Sequence, residues 1–229
     1  MELDLSYNKI EDASVFEKEN FESTKILNLS HNKISKIHIK NRLYLPKIKT
    51  LLINDNQIKE IIISGRAQLQ RLKKLDLSHN FLEIIKIEKC LKLNKLSGLD
   101  LSYNKLKDLS FFKDIELKQL KKLYVNNNII EDINIIETIN SENISHLNLS
   151  YNKISKIEVL KNVSIKNIKY LDLSNNHIKN IRPFENMYFP KIRNLVIVNN
   201  LIHYELQKNV DIIMNIISNH KHQNFSFSY

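Results

Sequence analysis

The sequence has no tryptophan, a single cysteine, two glycines and three prolines among its 229 residues. With only Cys90, the chain cannot form an internal disulfide or the paired-cysteine end caps of many secreted repeat proteins. The two glycines, Gly65 and Gly98, are too far apart for a glycine-rich phosphate-binding loop. Paired-cysteine zinc motifs and the HExxH pattern are absent as well. The sequence therefore lacks the motifs of disulfide scaffolds, phosphate-loop enzymes and common zinc proteins.

Long apolar segments are also absent. No apolar run approaches the roughly 18 residues that a membrane-spanning helix requires. The segment from Met1 to Ile10 contains Glu2 and Asp4 and shows neither a basic n-region nor an apolar h-region. Together with the single cysteine, these features predict a protein of a reducing compartment, most simply the cytoplasm.

The charge balance is basic, with 35 Lys and Arg residues against 25 Asp and Glu residues and a formal net charge of +10. Two interpretations are open. One is a solvated basic surface without a dedicated ligand, and the other is a surface that binds an anionic partner. The position of the basic residues in the fold is needed to choose between them.

The dominant feature of the sequence is a repeat. An asparagine recurs every 24 residues and closes the phrase Leu-x-(Leu/Ile/Val)-x-x-Asn-x-(Ile/Leu) in nine copies. These asparagines are Asn8, Asn32, Asn56, Asn80, Asn104, Asn128, Asn152, Asn176 and Asn200. The constant period predicts one solenoid in which each repeat buries its apolar side against its neighbours. Function should therefore be sought on a repeated surface and not in a catalytic cleft.

Each repeat is predicted to contain one short strand. Apolar residues alternate around Leu75 and Leu77, so every second residue of that strand should be buried. Beyond Asn80 the apolar spacing is mixed, and we expect the return path to be irregular or to contain short helical turns. The side-chain amide of Asn80 can pair backbone groups that lose their partners where the chain leaves the sheet. In register, the nine residues are predicted to form an asparagine ladder.

The segment Leu96-x-x-Leu99-Asp100-Leu101-Ser102-Tyr103-Asn104-Lys105-Leu106 fits the phrase LxxLxLxxNxI and resembles the leucine-rich repeat. The resemblance covers about residues 1–202. It implies an α/β fold, a right-handed solenoid or horseshoe with a parallel β-sheet on its concave side and a mostly irregular or short-helical convex side. It also implies protein binding far more often than catalysis.

The two ends of the predicted array differ. We expect residues 203–229 to form a C-terminal cap within one overall domain, because terminal rungs need a polar cover. Leu206, Val210, Ile213 and Ile217 step by four, three and four, which predicts an amphipathic helix over about residues 205–219. An alternative is a helix that binds a partner. At the N-terminal end, Leu3 already belongs to the first strand, so that strand is predicted to present an open edge suited to self-association.

Residues four, two and one positions before each asparagine are predicted to face out of the concave sheet or to lie at its rim. Most Asp and Ser residues in these columns are interpreted as strand chemistry. Leu52, Tyr124 and Val196 interrupt the polar column, and exposed apolar or aromatic residues are typical of interface anchors. The predicted partner-binding surface consists of Leu52, Asp76, Asp100, Tyr103, Tyr124, Tyr151, Asp172 and Val196. Its tyrosines are expected to contact the partner, and its aspartates to favour positive charge on that partner.

Many basic residues stand nine or seven positions before the asparagine, where the chain enters the strand. They are Lys47, Lys49, Arg71, Lys73, Lys95, Lys121, Lys169, Lys191 and Arg193. This pattern predicts a basic edge beside a neutral to acidic concave face. Such an edge could bind the phosphates of RNA or of an anionic membrane, although no nucleic-acid motif accompanies it.

One set of side chains invites comparison with a metal site. His31, Asp55 and His79 share the rim column on successive rungs, so neighbours should lie roughly 5 Å apart and the outer pair roughly 10 Å apart. The outer separation strains a shared metal that lies about 2 Å from each ligand. The sequence therefore predicts no metal, no cofactor and no catalytic residues.

Taken together, the sequence predicts a non-enzymatic scaffold or adaptor that binds a protein partner through the concave face of a leucine-rich repeat solenoid. Two alternatives stay open. One is an electrostatic binder of RNA or of an anionic membrane through the basic edge. The other is a regulatory subunit of a phosphatase or of another enzyme, since the family includes such subunits.

Overall fold

The structure is a computed structural model, and it describes residues 1–12, 21–40, 42–64, 66–88, 91–139, 141–163, 165–185, 187, 189–203, 207–219 and 226–228. Cys90, Gly65, Leu206 and the predicted helix start at residue 205 lie outside the described residues. No helix in the described ranges has the length and apolar character of a membrane span.

The described strands are short and follow one another along the whole chain. In chain order they are β1 (Glu2–Asp4), β2 (Ile26–Asn28), β3 (Lys36–Ile39), β4 (Arg42–Tyr44), β5 (Thr50–Leu52), β6 (Glu60–Ile63), β7 (Arg66–Gln68), β8 (Lys74–Asp76), β9 (Ile84–Ile87), β10 (Leu91–Lys92), β11 (Gly98–Asp100), β12 (Ile115–Glu116), β13 (Lys122–Tyr124), β14 (His146–Asn148), β15 (Tyr170–Asp172), β16 (Asn194–Val196) and β17 (Ser226–Ser228).

Ten of these strands form the concave sheet, in the order β1-β2-β5-β8-β11-β13-β14-β15-β16-β17. All pairings in it are parallel, and from β1 to β16 each strand is in register with the strand one repeat away, so that Leu75 faces Leu51 on one side and Leu99 on the other. From β1 to β16, the central residue of each strand in this sheet is a leucine that points into the solenoid, and Leu123 and Leu147 are fully buried. The predicted architecture, a solenoid with a parallel sheet on its concave side, is confirmed.

The convex side differs between the two halves of the chain. In the later repeats it consists of 3-10 helices at Ser110–Asp114, Asn134–Thr138, Ser141–Asn143, Glu158–Lys161 and Arg182–Phe184, in line with the predicted short helical turns. In the earlier repeats it contains strands, with β3, β6 and β9 in one parallel sheet and β4 paired with β7, and a further pair, β10 with β12, extends just past the first 3-10 helix. The sequences of β3, β6 and β9 are KIHI, EIII and IIKI, and the β-branched isoleucines in them are compatible with the extended backbone that pairing between rungs imposes.

Side-chain amides join neighbouring rungs where the concave strands end. The Nδ2 of Asn80 donates to the carbonyls of Ile53, Leu77 and Ser78, each at 3.1 Å, and its Oδ1 accepts the N–H of Ile58 at 3.0 Å. The contacts to the preceding rung recur at Asn32, Asn56, Asn104, Asn128, Asn152, Asn176 and Asn200. Asn8, in contrast, is exposed and donates to Leu5 and Ser6 of its own turn.

Helix α1 (Gln207–Asn219) follows the last full repeat and contacts the 3-10 helix at Arg182–Phe184. The face that it buries is rotated from the predicted one, since Ile212 and Ile216 are buried with Ile213 while Val210 is exposed. The buried face also includes Asn209, whose Nδ2 donates to the carbonyl of His203 at 2.8 Å. After α1, β17 pairs with β16 and forms the last strand of the concave sheet.

Candidate functional site: the concave face

The concave face carries two outward columns of side chains, because the first and third residues of each strand point to the same side. The third residues form the column that the sequence predicted. The first residues, which the sequence interpretation missed, are Glu2, Ile26, Thr50, Lys74, Gly98, Lys122, His146, Tyr170 and Asn194. They stand two residues before the predicted column, so their positions could have been read from the 24-residue period. The candidate site must be built from both columns.

The structure divides the residues of the predicted partner-binding surface between two places. Leu52, Asp76, Asp100, Tyr124, Asp172 and Val196 are the third residues of their strands and are half-buried on the concave face. Tyr103 and Tyr151 lie in the turns after β11 and β14, where their side chains are 48% and 55% exposed. A partner that contacts all three tyrosines must therefore cover both the sheet and its rim.

The rim turns share an unusual backbone conformation. Tyr103 and Tyr151 have φ angles of 54° and 51°, in the left-handed region that non-glycine residues rarely adopt. The same conformation occurs at the residue before every ladder asparagine, namely Tyr7, His31, Asp55, His79, Tyr103, Asn127, Tyr151, Asn175 and Asn199. Asn, Asp and His tolerate this region best, so the three tyrosines depart from the chemistry that the turn favours.

The aspartates of the concave face are held by the serine two residues later. Asp100 accepts hydrogen bonds at Oδ1 from the hydroxyl of Ser102 at 2.6 Å and from its N–H at 3.0 Å. The same pair of bonds joins Asp4 to Ser6, Asp76 to Ser78 and Asp172 to Ser174. Burial nevertheless raises the pKa of Asp100 from its ordinary value. One oxygen of each carboxylate is therefore committed to the end of its own strand.

The second carboxylate oxygens also have partners on the same strand in two cases. Asp76 Oδ2 lies 3.3 Å from Lys74 Nζ, and Asp172 Oδ2 accepts the hydroxyl of Tyr170 at 2.9 Å. These contacts leave the two aspartates with less capacity to attract positive charge from a partner than their position alone indicates.

Three aromatic residues lie on the neighbouring strands β13, β14 and β15, Tyr124 as the third residue of its strand and His146 and Tyr170 as the first residues of theirs. We call Tyr124, His146 and Tyr170 the aromatic platform; all three are half-buried, and the rings of His146 and Tyr170 stack with centroids 6.3 Å apart. Burial and the Asp172 carboxylate raise the pKa of Tyr170 to about 12. Burial and the Asp100 charge raise the pKa of Tyr124 as well.

The pKa of His146 is shifted in the opposite direction. Burial, with the neighbouring charges of Lys122 and Lys169, lowers it from the usual histidine value. The Nδ1 of His146 is 2.9 Å from Ser145 Oγ, which is itself 3.1 Å from the carbonyl of Lys121. In all three rings of the aromatic platform the shift of the pKa favours the uncharged form.

Basic side chains occupy both the predicted edge and part of the concave face. The nine residues of the basic edge are exposed, and Lys121, Lys169, Lys191 and Arg193 line an open depression of about 860 Å³ with Asn143, Ser145 and Asn167. In addition, Lys74 and Lys122 are exposed on the concave sheet itself. The expectation of a neutral to acidic concave face therefore does not hold at β8 and β13.

The rim histidines are engaged with tyrosines of adjacent rungs. His31 stacks on Tyr7 and His79 stacks on Tyr103, with ring centroids 4.2 Å apart in each pair. His31 Nε2 is 3.7 Å from Asp55 Oδ2. Across the part of the chain that the structure describes, no group of three or more His, Cys, Asp or Glu side chains is placed to hold a metal ion.

Family comparisons agree with the fold. The description "Leucine Rich repeats (2 copies)" matches residues 94–140 and 142–186, "Leucine rich repeat" matches residues 46–106, and "Leucine Rich repeat" matches residues 1–16. Among curated proteins, no sequence match is found.

Solved structures with the same architecture include the functional domain of InlJ from Listeria monocytogenes, which includes a cysteine ladder. It is 21% identical with a TM-score of 0.64, over 99% of this chain and 43% of that chain. The LRIM1 leucine-rich repeat domain is 24% identical with a TM-score of 0.59, over 87% of this chain and 59% of that chain. A chain of the LRIM1/APL1C complex is 21% identical with a TM-score of 0.56, over 99% of this chain and 43% of that chain.

These identities show a shared fold, and this chain spans less than two thirds of each of those three chains. The family descriptions together match more than half of the sequence, from the first strand to the last repeats. The chain belongs to the leucine-rich repeat family.

Proposed function

We propose that the protein is a non-enzymatic scaffold or adaptor that binds a protein partner through the concave face of its solenoid. The observation that carries the proposal is the aromatic platform of Tyr124, His146 and Tyr170 near the middle of that face. Tyrosine is enriched at the energetic centres of protein interfaces, where a half-buried ring can be covered completely by a partner.

The dimensions of the sheet suit this role. Ten strands spaced by about 4.8 Å span on the order of 40 Å, which is enough for an extended peptide or a helix. The hydroxyl of Tyr170 is committed to Asp172, so its ring face and that of Tyr124 are the surfaces offered to the partner. Leu52 and Val196 provide half-buried apolar contacts on β5 and β16, on either side of the platform.

Two further considerations support a protein partner in a reducing compartment. The LRIM1 chain of similar fold belongs to a complex with APL1C, so a solenoid of this kind can serve in a protein assembly. A single cysteine fits the cytoplasm, where disulfides are rare. If the partner is a phosphatase or another enzyme, the protein would act as its regulatory subunit.

A random peptide library selected on the immobilised protein tests the proposal. We expect enriched peptides whose binding is lost with Tyr124→Ala plus Tyr170→Ala and is retained with Lys191→Gln plus Arg193→Gln on the basic edge. The melting temperature of each variant serves as the folding control. Peptides that bind equally well to the Tyr124 and Tyr170 variant would move the site away from the aromatic platform.

The second candidate is binding of RNA or of an anionic membrane through the basic edge. The depression lined by Lys121, Lys169, Lys191 and Arg193 favours it, because four cations there surround uncharged amide and hydroxyl groups. A salt titration separates the two functions. Phosphate binding should weaken steeply with added salt, whereas contacts to tyrosine rings should survive it.

A further inference from the structure

The first outward column of the concave face is interrupted at Gly98. Gly98 is in register with Lys74 on β8 and with Lys122 on β13, and a Cβ built on it would meet no atom within 4 Å. The two lysines are two rungs apart, or about 10 Å at the usual strand spacing. The missing side chain therefore leaves an open gap with a lysine on each side.

The gap continues to the edge of the sheet. One residue earlier, Ser97 stands between Lys73 and Lys121, and its hydroxyl is turned to the carbonyl of Lys73 at 3.1 Å. We call the resulting depression the Gly98 notch; it has a volume of about 450 Å³ and is lined by Lys73, Lys74, Leu75, Ser97, Gly98, Leu99, Asp100, Lys121, Lys122 and Tyr124. Small residues form its floor and exposed lysine pairs form both walls.

The charges of the Gly98 notch are unbalanced. Four lysines line it against a single carboxylate, that of Asp100, whose Oδ1 is already bonded to Ser102. Lys74 has Asp76 beside it at 3.3 Å, whereas Lys73, Lys121 and Lys122 form no ion pair among the described residues. A negative group between the walls would meet positive charge from both sides.

We propose that the Gly98 notch receives an acidic side chain, an aspartate or glutamate, of the protein partner. This inference rests on the proposed function, because the ring of Tyr124 is shared by the aromatic platform and by the wall of the notch. A partner anchored on the platform places its next residues over Gly98. The apolar stem of a glutamate would then pack on Tyr124 while its carboxylate lies between Lys74 and Lys122.

Other anionic occupants fit less well. The cations of the notch are all lysines, which bind carboxylates and phosphates alike, so the choice of a carboxylate rests on the protein partner proposed for the aromatic platform. An RNA backbone would follow the row of cations along the basic edge, where charge recurs from rung to rung, and would not enter a single gap in the sheet.

The notch can be filled without disturbing the fold. The same column holds lysine, histidine and tyrosine on other strands, so Gly98→Leu adds a side chain that the sheet accommodates. Lys122→Gln removes the charge and keeps a polar side chain that is one bond shorter. The matched controls are Thr50→Leu, in the same column on β5, and Lys36→Gln, an exposed lysine on β3 of the convex side.

The test is a titration of isotope-labelled protein with a tetraglutamate peptide, followed by the amide signals of Ser97 and Gly98. We expect saturable shifts at these amides, with an affinity about tenfold lower for Gly98→Leu and for Lys122→Gln and changed less than about twofold in the two controls. The proposal for the Gly98 notch would be contradicted by the absence of shifts at Ser97 and Gly98, or by an affinity of Gly98→Leu equal to that of the wild type. Either result would be independent of binding at the aromatic platform.

Two further measurements fix the occupant and separate this inference from the proposed function. A tetraphosphoserine peptide or a short oligoribonucleotide that binds the notch more tightly than tetraglutamate would overturn the carboxylate assignment. Among peptides selected on the wild-type protein, we expect a Glu or Asp whose replacement by the amide weakens binding to the wild type but not to Lys122→Gln. If selected peptides require Tyr124 but bind Gly98→Leu as tightly as the wild type, the proposed function is supported and the role of the Gly98 notch is contradicted.

Discussion

The side-chain amide of Asn80 donates a hydrogen bond to the carbonyl of Ile53, 27 residues earlier, at 3.1 Å. In the same side chain, Oδ1 accepts the N–H of Ile58 at 3.0 Å, so one residue pairs two backbone groups of the preceding rung. Asn80 is buried, and water cannot replace these partners. The asparagine is thus a connection between rungs as well as the end of a strand.

Replacement of Asn80 should therefore destabilise the protein. Asn80→Leu keeps the bulk but leaves buried backbone groups unpaired, at about 1–3 kcal/mol each. Calorimetry should show a clear fall in melting temperature. The control is Asn8→Leu, which removes bonds of an exposed residue within its own turn and should change the melting temperature little. If Asn80→Leu melts with the parent protein, the ladder does not stabilise the fold.

At the rim, in contrast, a substitution in a left-handed turn should stabilise the protein. Tyr151 has a φ of 51°, and the equivalent positions on other rungs include Asn127 and Asn175. Because asparagine adopts this conformation more readily than tyrosine, Tyr151→Asn should increase the free energy of unfolding by about 0.5–1 kcal/mol. The reverse substitution Asn127→Tyr should decrease it by a similar amount. Denaturant unfolding measures both, and a destabilised Tyr151→Asn variant would show that the tyrosine ring makes compensating contacts.

Partner binding should depend on both the sheet and its rim. With Tyr124→Ala and Tyr151→Ala combined, we expect affinity for the partner to fall at least about tenfold, or about 1.4 kcal/mol, without unfolding. Calorimetric titration with a selected peptide measures the loss, and the single variants assign it to the concave face or to the rim. Tyr7→Ala, on the exposed rim of the first rung, is the control and should bind as the parent does.

Alkaline pH should weaken a specific contact on the aromatic platform. Burial and Asp172 raise the pKa of Tyr170 to about 12, so folding favours the protonated phenol. The resulting stabilisation is complete below the unfolded pKa of about 10 and is lost as pH rises through about 12. The free energy of unfolding of the wild type should therefore decline relative to that of Tyr170→Phe over this window. A difference that stays constant with pH would contradict the assignment.

The first concave strand is predicted to support self-association. The N–H of Leu5 donates to the carbonyl of Asn28 on β2 at 2.8 Å, so the N–H of Glu2, an odd number of residues away, points to the outer edge. We expect light scattering to detect association that grows with concentration and disappears with Glu2→Pro, which removes that donor. A strict monomer at high concentration would exclude pairing through β1.

Much of the fold could be predicted because buried positions tolerate few residue types. Residues of the same type as Leu75, Leu77 and Asn80 occur at the equivalent positions of every repeat, and this recurrence predicted where the concave strands lie. The convex strands were missed because the same isoleucine spacing also fits a short helix, and only pairing with neighbouring rungs decides for β3, β6 and β9.

The candidate site was predicted only in part. Tyr124 attracted attention because it interrupts a regular polar column, whereas Tyr170 and His146 lie in a column that no residue type dominates. Sequence also could not show that Asp172 is bonded to Tyr170 and Ser174, since such contacts depend on side-chain rotamers. The left-handed backbone conformation of Tyr103 is imposed by the tight turn, and a tyrosine in the sequence does not predict that conformation.

The change from strands to 3-10 helices on the convex side has a consequence for the curvature of the molecule. Rungs closed by strands on both sides need about 4.8 Å on each, so the repeats of β3, β6 and β9 should stack almost straight, as a rod. A 3-10 helix is wider than a strand, and the later repeats must splay on their outer side. We therefore expect any bend to lie among the later repeats, which include the strands β13, β14 and β15 with Tyr124, His146 and Tyr170.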